Sequence, residues 1–172
     1  MRPPHRSILA SLAVLVALAA APSVAAAEVK VGDRAPELDG AKDARGKAFK
    51  LKALRGTWVV MTFGGSWCKP CKKELPAWDK LATKWTGKVV FVAVNLDNDP
   101  KKGKKFMDGL RLKNLVRVYA PESSTAAADI YSPPIQPSSY VIDPKGIVRE
   151  LHEGYSSGDD GKMHGSLEKR VQ

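Results

Sequence analysis

The chain has 172 residues, with 28 Lys and Arg against 18 Asp and Glu and only two cysteines. That length suits one domain with a substantial hydrophobic core. The formal charge of +10 is spread out, and its densest cluster, Lys101 to Lys105, lacks the interleaved aromatics of a nucleic-acid face, so nucleic acid is excluded as a partner.

Residues 1–27 have the three-part form of an export signal: a basic start at Arg2, His5 and Arg6, an apolar run from Ile8 to Ala21 broken only by Ser11, and small residues at Ala25 to Ala27. The run is short against the roughly 20 apolar residues of a membrane span. Only by counting on through Ala27 does it become an uncleaved anchor. Residues 28–172 are then a single domain with 26 basic and 18 acidic side chains, a balance of +8. Lys101 to Lys105 reads as a solvated face, with an acidic partner or the membrane surface as its alternative use.

Along the domain, a lead-in from Val31 to Leu54 carries turn signals at Asp39-Gly40 and Arg45-Gly46 and a short strand predicted at Ala48 to Leu51. Trp58 to Phe63 is a continuous apolar run, as in a strand buried on both faces. From Pro70 to Trp85, Leu75, Trp78, Leu81, Ala82 and Trp85 recur at helical spacing, with Pro76 expected to kink the helix. Val89 to Leu96 predicts a second buried strand, followed by a basic helix from Lys101 to Leu110 and a short strand from Val116 to Tyr119. A small helix is expected over Ser124 to Tyr131, its start marked by Ser123 and Ser124. Ser139 to Asp143 and Ile147 to Leu151 flank Pro144-Lys145-Gly146 as a hairpin, and a last helix spans Asp160 to Val171. This order predicts an α/β fold with a central mixed β-sheet flanked by helices.

Cys68 and Cys71 lie between the first buried strand and its helix, in FGGSWCKPCKKELP. A structural zinc site needs about four ligands. His5 leaves with the leader and His152 and His164 stand alone, so no second ligand pair exists. Two thiolates and one His would suit copper better. A structural staple is weak, because a loop of about four residues removes little freedom from the unfolded chain. The redox reading is the strongest. At a helix N-terminus, unpaired N–H groups, the helix dipole and the charges of Lys69, Lys72 and Lys73 all favour a Cys68 thiolate, with a pKa expected in the range of about 3.5 to 7.5. Cys68 is expected to be exposed, and Cys71, one turn further in, is the less exposed sulfur. Cys68 is therefore the nucleophile toward a substrate disulfide and Cys71 the resolving cysteine. Glu74, three residues on and on the same helical face, is the candidate proton acceptor for Cys71, against the alternative that it merely pairs with Lys73 or solvent.

WCKPCKKELP after a buried strand, IQPSSYVIDPKGIV downstream and the VGDRAPEL lead-in resemble the TlpA/ResA-like thioredoxin-fold family of exported bacterial thiol:disulfide oxidoreductases. The resemblance covers roughly Val31 to Gln172. It implies a thioredoxin-like fold with an N-terminal β extension, and an enzyme whose only cofactor is its own Cys68–Cys71 disulfide. It also implies a cis peptide at Pro137, with Pro133 and Pro134 as nearby rivals, and a substrate-binding surface of Trp67, Gln136 and Pro137. An acid three residues after the second cysteine is a feature of this branch, whereas cytosolic-type thioredoxins carry a buried Asp where Thr62 stands here. Lys69 and Pro70 are the pKa-tuning pair. Gly64 departs from the aromatic common in the family and is expected to loosen the loop.

By the same resemblance the protein is exported, to the periplasm or the outer face of the cytoplasmic membrane. It is a monomer that reduces exported protein disulfides, including those of cytochrome c maturation, with a membrane-linked electron donor. Two other functions stay open: copper handling with His152 or His164, and a peroxiredoxin-like thiol peroxidase, which the VGDRAPEL lead-in also suits but the Gly64-Gly65 pair before Cys68 does not.

Overall fold

The computed structural model describes residues 28–131 and 135–171; the predicted export segment and the rival prolines Pro133 and Pro134 lie outside them. Apolar runs bounded by turn residues form the strands, and the helical-period segments cover them. In chain order the strands are β1 (Lys42–Asp43), β2 (Trp58–Gly64), β3 (Val89–Asn95), β4 (Val116–Tyr119), β5 (Ser138–Ile142) and β6 (Val148–Glu153). The helices are α1 (Cys71–Lys84), α2 (Pro100–Gly109), α3 (Ala127–Tyr131) and α4 (Asp159–Arg170). The sheet order is β1-β4-β3-β2-β5-β6. β2, β3 and β4 run parallel, and β1, β5 and β6 pair antiparallel to their neighbours, giving the predicted mixed sheet.

Because strand side chains alternate between faces, each central strand feeds two cores. Val59, Met61 and Phe63 of β2 and Tyr140 and Ile142 of β5 pack on one face with Ala35, Leu38 and Tyr131. Val60 and Val141 pack on the other against Leu75, Trp78, Leu81 and Trp85 of α1 and Met163 and Leu167 of α4. The lead-in therefore covers the face opposite α1. It is tied to the β5–β6 turn by hydrogen bonds from Gly32 N to Val148 O (2.8 Å) and Ala35 N to Gly146 O (2.9 Å).

Two predicted elements differ from the observed ones. Ala48 to Leu51 is no strand: Ala48 makes one isolated bridge to Lys42, and Leu51–Leu54 is a 3-10 turn. The Asp43 carboxylate accepts from the backbone N–H groups of Arg45 (2.8 Å) and Lys47 (2.9 Å), closing a turn too tight for a longer ladder. The small helix begins at Ala127 rather than Ser124, because the polar residues ahead of it serve a turn: Thr125 donates through both its N–H and its hydroxyl to Pro121 O. Pro76 sits inside α1, which continues through it to Lys84. Its missing N–H falls opposite the carbonyl of Lys72, an exposed residue of the first turn.

Candidate active site

The site stands where β2 ends and α1 begins. Cys68 and Cys71 form a disulfide with a Cα–Cα distance of 5.4 Å. The N–H of Cys71, one of the donors that a helix start leaves unpaired, points at Cys68 Sγ (3.3 Å). The expected order of exposure is observed, at 4% for Cys68 and 0% for Cys71, but the expectation of an exposed Cys68 is corrected. With its sulfur turned into the disulfide, Cys68 is nearly buried, and the exposed apolar surface here is Trp67, at 49%.

Gly64 does not loosen the loop. A Cβ at this position would lie 2.4 Å from Cys71 Sγ, so the missing side chain is the space the inner sulfur occupies. A Cβ on Gly65 would likewise lie 2.6 Å from Trp67 Nε1. The two glycines seat the inner sulfur and the tryptophan ring respectively.

Beneath the disulfide is a polar cluster set by three periodicities. Thr62 and Ser139 are direct cross-strand partners on β2 and β5, on the face that α1 covers. Glu74 and Trp78, four residues apart on α1, come down on that pair. Ser139 Oγ donates to Glu74 Oε1 (2.9 Å) and accepts from Trp78 Nε1 (3.1 Å). Having given its one proton to Glu74, Ser139 accepts from the Thr62 hydroxyl at 2.5 Å. Glu74 is fully buried, so the alternative of a pairing with Lys73 or solvent is not what the structure holds. Its Oε2 has no hydrogen-bond partner among the described residues. Burial pushes the Glu74 carboxyl up to about 8, with the hydrogen bond from Ser139 and the nearby Trp78 indole N–H pulling the other way. At neutral pH beside the closed disulfide, Glu74 is therefore mainly a protonated acid.

Gln136–Pro137 is a cis peptide at the entry to β5, where the resemblance implied it. Pro137 O accepts from Gly154 N (2.7 Å), which ties this loop to the end of β6. Ile135, 54% exposed, precedes it and was not singled out in the sequence.

A second missed group holds the cysteine loop. Asp97, just past β3 in a stretch that reads only as a turn, accepts from Ser66 N (2.8 Å), Ser66 Oγ (2.6 Å) and Asn95 Nδ2 (2.8 Å) while 4% exposed. Gly103 of α2 packs against this pair so closely that a Cβ there would lie 2.2 Å from Asn95 Oδ1. No periodicity marks Asn95 or Asp97, so only the fold could disclose them.

The histidines considered for copper lie beside other groups, though His152 Nε2 makes no hydrogen bond among the described residues. His152 Nε2 lies 2.6 Å from Glu150 Oε1, and His164 Nδ1 accepts from Trp85 Nε1 (3.2 Å). Among the described residues no group of three or more His, Cys, Asp or Glu side chains has metal-binding geometry.

Residues 31–151 match the AhpC/TSA family. Over 143 residues the chain is 32% identical to the thiol-disulfide oxidoreductase ResA of Bacillus cereus, covering 83% of this chain and 79% of the relative. It is 29% identical over 126 residues to the thioredoxin-like protein YneN of Bacillus subtilis, covering 73% of each. Among solved structures, a DsbE thiol:disulfide interchange protein from Chlorobium tepidum superposes with a TM-score of 0.74 at 26% identity, over 83% of this chain and 98% of that one. A strand-to-helix Cys-x-x-Cys disulfide, a cis proline facing the entry to β5 and these matches agree: the chain belongs to the AhpC/TSA family, as a TlpA/ResA-like thiol:disulfide oxidoreductase of thioredoxin-like fold.

Proposed function

We propose that this protein works outside the cytoplasm as a reductant of protein disulfides, re-reduced by a membrane-linked dithiol donor. The Cys68 thiolate attacks a partner disulfide, expelling one partner sulfur as thiolate and leaving a mixed disulfide. Cys71 gives its proton to Glu74 and attacks Cys68 Sγ. The Cys68–Cys71 bond forms, the second partner thiolate leaves, and two electrons have passed to the partner. In recharging, the donor's first thiolate attacks Cys68 Sγ and Glu74 returns its proton to the Cys71 leaving group; the donor's second thiolate then attacks its own sulfur in that mixed disulfide, which frees the Cys68 thiolate and leaves the donor oxidised. A carboxyl titrating near 8 is well matched to a thiol of ordinary pKa about 8.5, which makes it effective in both directions.

The observation that carries the reading is the buried Glu74 one turn beyond Cys71, whose burial favours the protonated acid at rest. Trp67, Gln136 and Pro137 form the substrate-binding surface, with Ile135 added to it. Lys69, exposed between the cysteines, favours the reduced thiolate and so makes the protein a milder reductant than a neutral dipeptide would. Maturation of cytochrome c is the pathway the family resemblance favours, and the leader at 1–27 supports export.

A Cys71→Ser variant tests this. It is expected to accumulate exported proteins disulfide-linked to Cys68, released by dithiothreitol; an exported fraction yielding none would overturn the reading. Glu74→Gln is expected to slow release of the mixed disulfide and flatten its pH dependence, and an unchanged rate across pH would remove Glu74 from the mechanism.

A further inference from the structure

Between the cysteine loop and α2 lies a cleft of about 470 Å3 that the redox chemistry does not use. One wall is Ser66, two residues before Cys68, and Lys72, next to Cys71. The other is a single helical stripe, Lys102, Lys105, Phe106 and Gly109, extended by Leu110. Its lining is mostly apolar, supplied by the half-buried Phe106 and Leu110, while Lys72, Lys102 and Lys105, which also line it, are exposed. Lys104 is paired with Asp108 at 2.6 Å, but none of those three lysines has an acidic partner among the described residues.

The cleft is built rather than incidental. Asp99 caps α2 by accepting from the N–H groups of Lys101 (2.9 Å) and Lys102 (3.4 Å), with Pro100 in the first turn. Gly103 lets α2 approach the Asn95–Asp97 pair, and Asp97 in turn holds Ser66. The lysine stripe and the cysteine loop are thus locked to one anchor. Gly109 keeps the far end open, since a Cβ there would meet nothing within 4 Å.

We propose that this cleft docks an acidic segment of the partner protein, one that carries an aliphatic or aromatic side chain and lies close to the cysteine being exchanged. The inference rests on the oxidoreductase reading and adds its substrate class. Three unpaired cations over an apolar floor complement an acidic-apolar stretch, and their position beside Cys68 and Cys71 brings that stretch up together with its disulfide. Lys101 to Lys105 is then a guiding surface as well as a solvated one.

The test uses the reduced protein and three disulfide-bearing peptides of equal length whose flanks are Asp/Glu-Leu, Ser-Leu or Lys-Leu, with hydroxyethyl disulfide as a small neutral substrate. The acidic peptide is expected to be reduced about tenfold faster than the basic one in low salt, with the advantage shrinking as ionic strength rises. A Lys102→Glu/Lys105→Glu variant should lose that preference, and Gly109→Trp, whose Cβ would enter open space at the cleft's edge, should slow the acidic peptide alone. Hydroxyethyl disulfide should react alike with all three proteins. Equal rates for the three peptides, or a preference that survives the charge reversal, would overturn the docking proposal while leaving the redox reading intact. Failure to reduce hydroxyethyl disulfide would instead strike at the redox reading itself. A flotation assay with vesicles of anionic lipid supplies the last arm: lysine-dependent binding to vesicles with no peptide preference would assign the face to the membrane and sink the proposal.

Discussion

On one face of the sheet, β2 and β5 contribute Phe63 and Tyr140, whose rings meet edge-on at 5.7 Å, with Tyr131 completing an aromatic cluster at 4.7 and 5.1 Å. One residue back along each strand, on the opposite face, the same strands contribute Thr62 and Ser139 to the cluster around Glu74. The aromatic side gains from burial and asks for few hydrogen bonds. The polar side places a carboxyl where an ionised one is costly and needs neighbours to hold it. Stability resides in the first and proton handling in the second, separated by one step of the strand period.

The largest effect is expected on the aromatic face. Phe63→Ala removes a fully buried ring and is expected to cost about 3–5 kcal/mol in urea denaturation. Disulfide exchange by the fraction still folded should keep its pH profile, and a shifted profile would show that the faces are not independent.

On the polar face, Glu74 should make the oxidised protein's stability fall as pH rises. Below its ordinary value of 4.5 the carboxyl is protonated folded and unfolded alike and costs nothing. Between there and about 8 the unfolded chain releases the proton while the folded chain keeps it, and above about 8 the full cost remains. Glu74→Gln should remove this slope, worth on the order of a few kcal/mol across the window. Parallel curves for the two proteins would mean that the carboxyl is ionised in its site.

Ser139→Ala strips Glu74, Trp78 and Thr62 of their common partner and is expected to cost about 1–3 kcal/mol. It should also raise the Glu74 titration further, since the hydrogen bond it removes is a lowering influence; a downward move in the pH profile of exchange would contradict that arrangement. Gly64→Ala should cost about 1–3 kcal/mol in thermal unfolding of the oxidised form, as the added methyl meets Cys71 Sγ. The reduced form, whose sulfurs are free to part, should lose less, and equal losses would place the strain elsewhere.

Much of the fold was legible. β4 runs over the predicted Val116–Tyr119, and β2, β3, α2 and α4 start or stop within one residue of their predicted bounds, because buried runs and helical stripes are local signals. Local reading failed where polar side chains rather than apolar periodicity shaped the backbone, at the Asp43 turn and before α3.

From its own residues the sequence determined the redox pair, the element order, the helix start at the cysteines and Glu74 on the face of Cys71, all consequences of spacing along one element. Only the tertiary structure decided that Gly64 makes room for a sulfur, that Thr62 and Ser139 bracket the acid, that Asp97 holds the cysteine loop and that the lysines of α2 stand beside it. Each of these joins residues from different elements, and such contacts are set by strand register and helix packing, which no local pattern encodes.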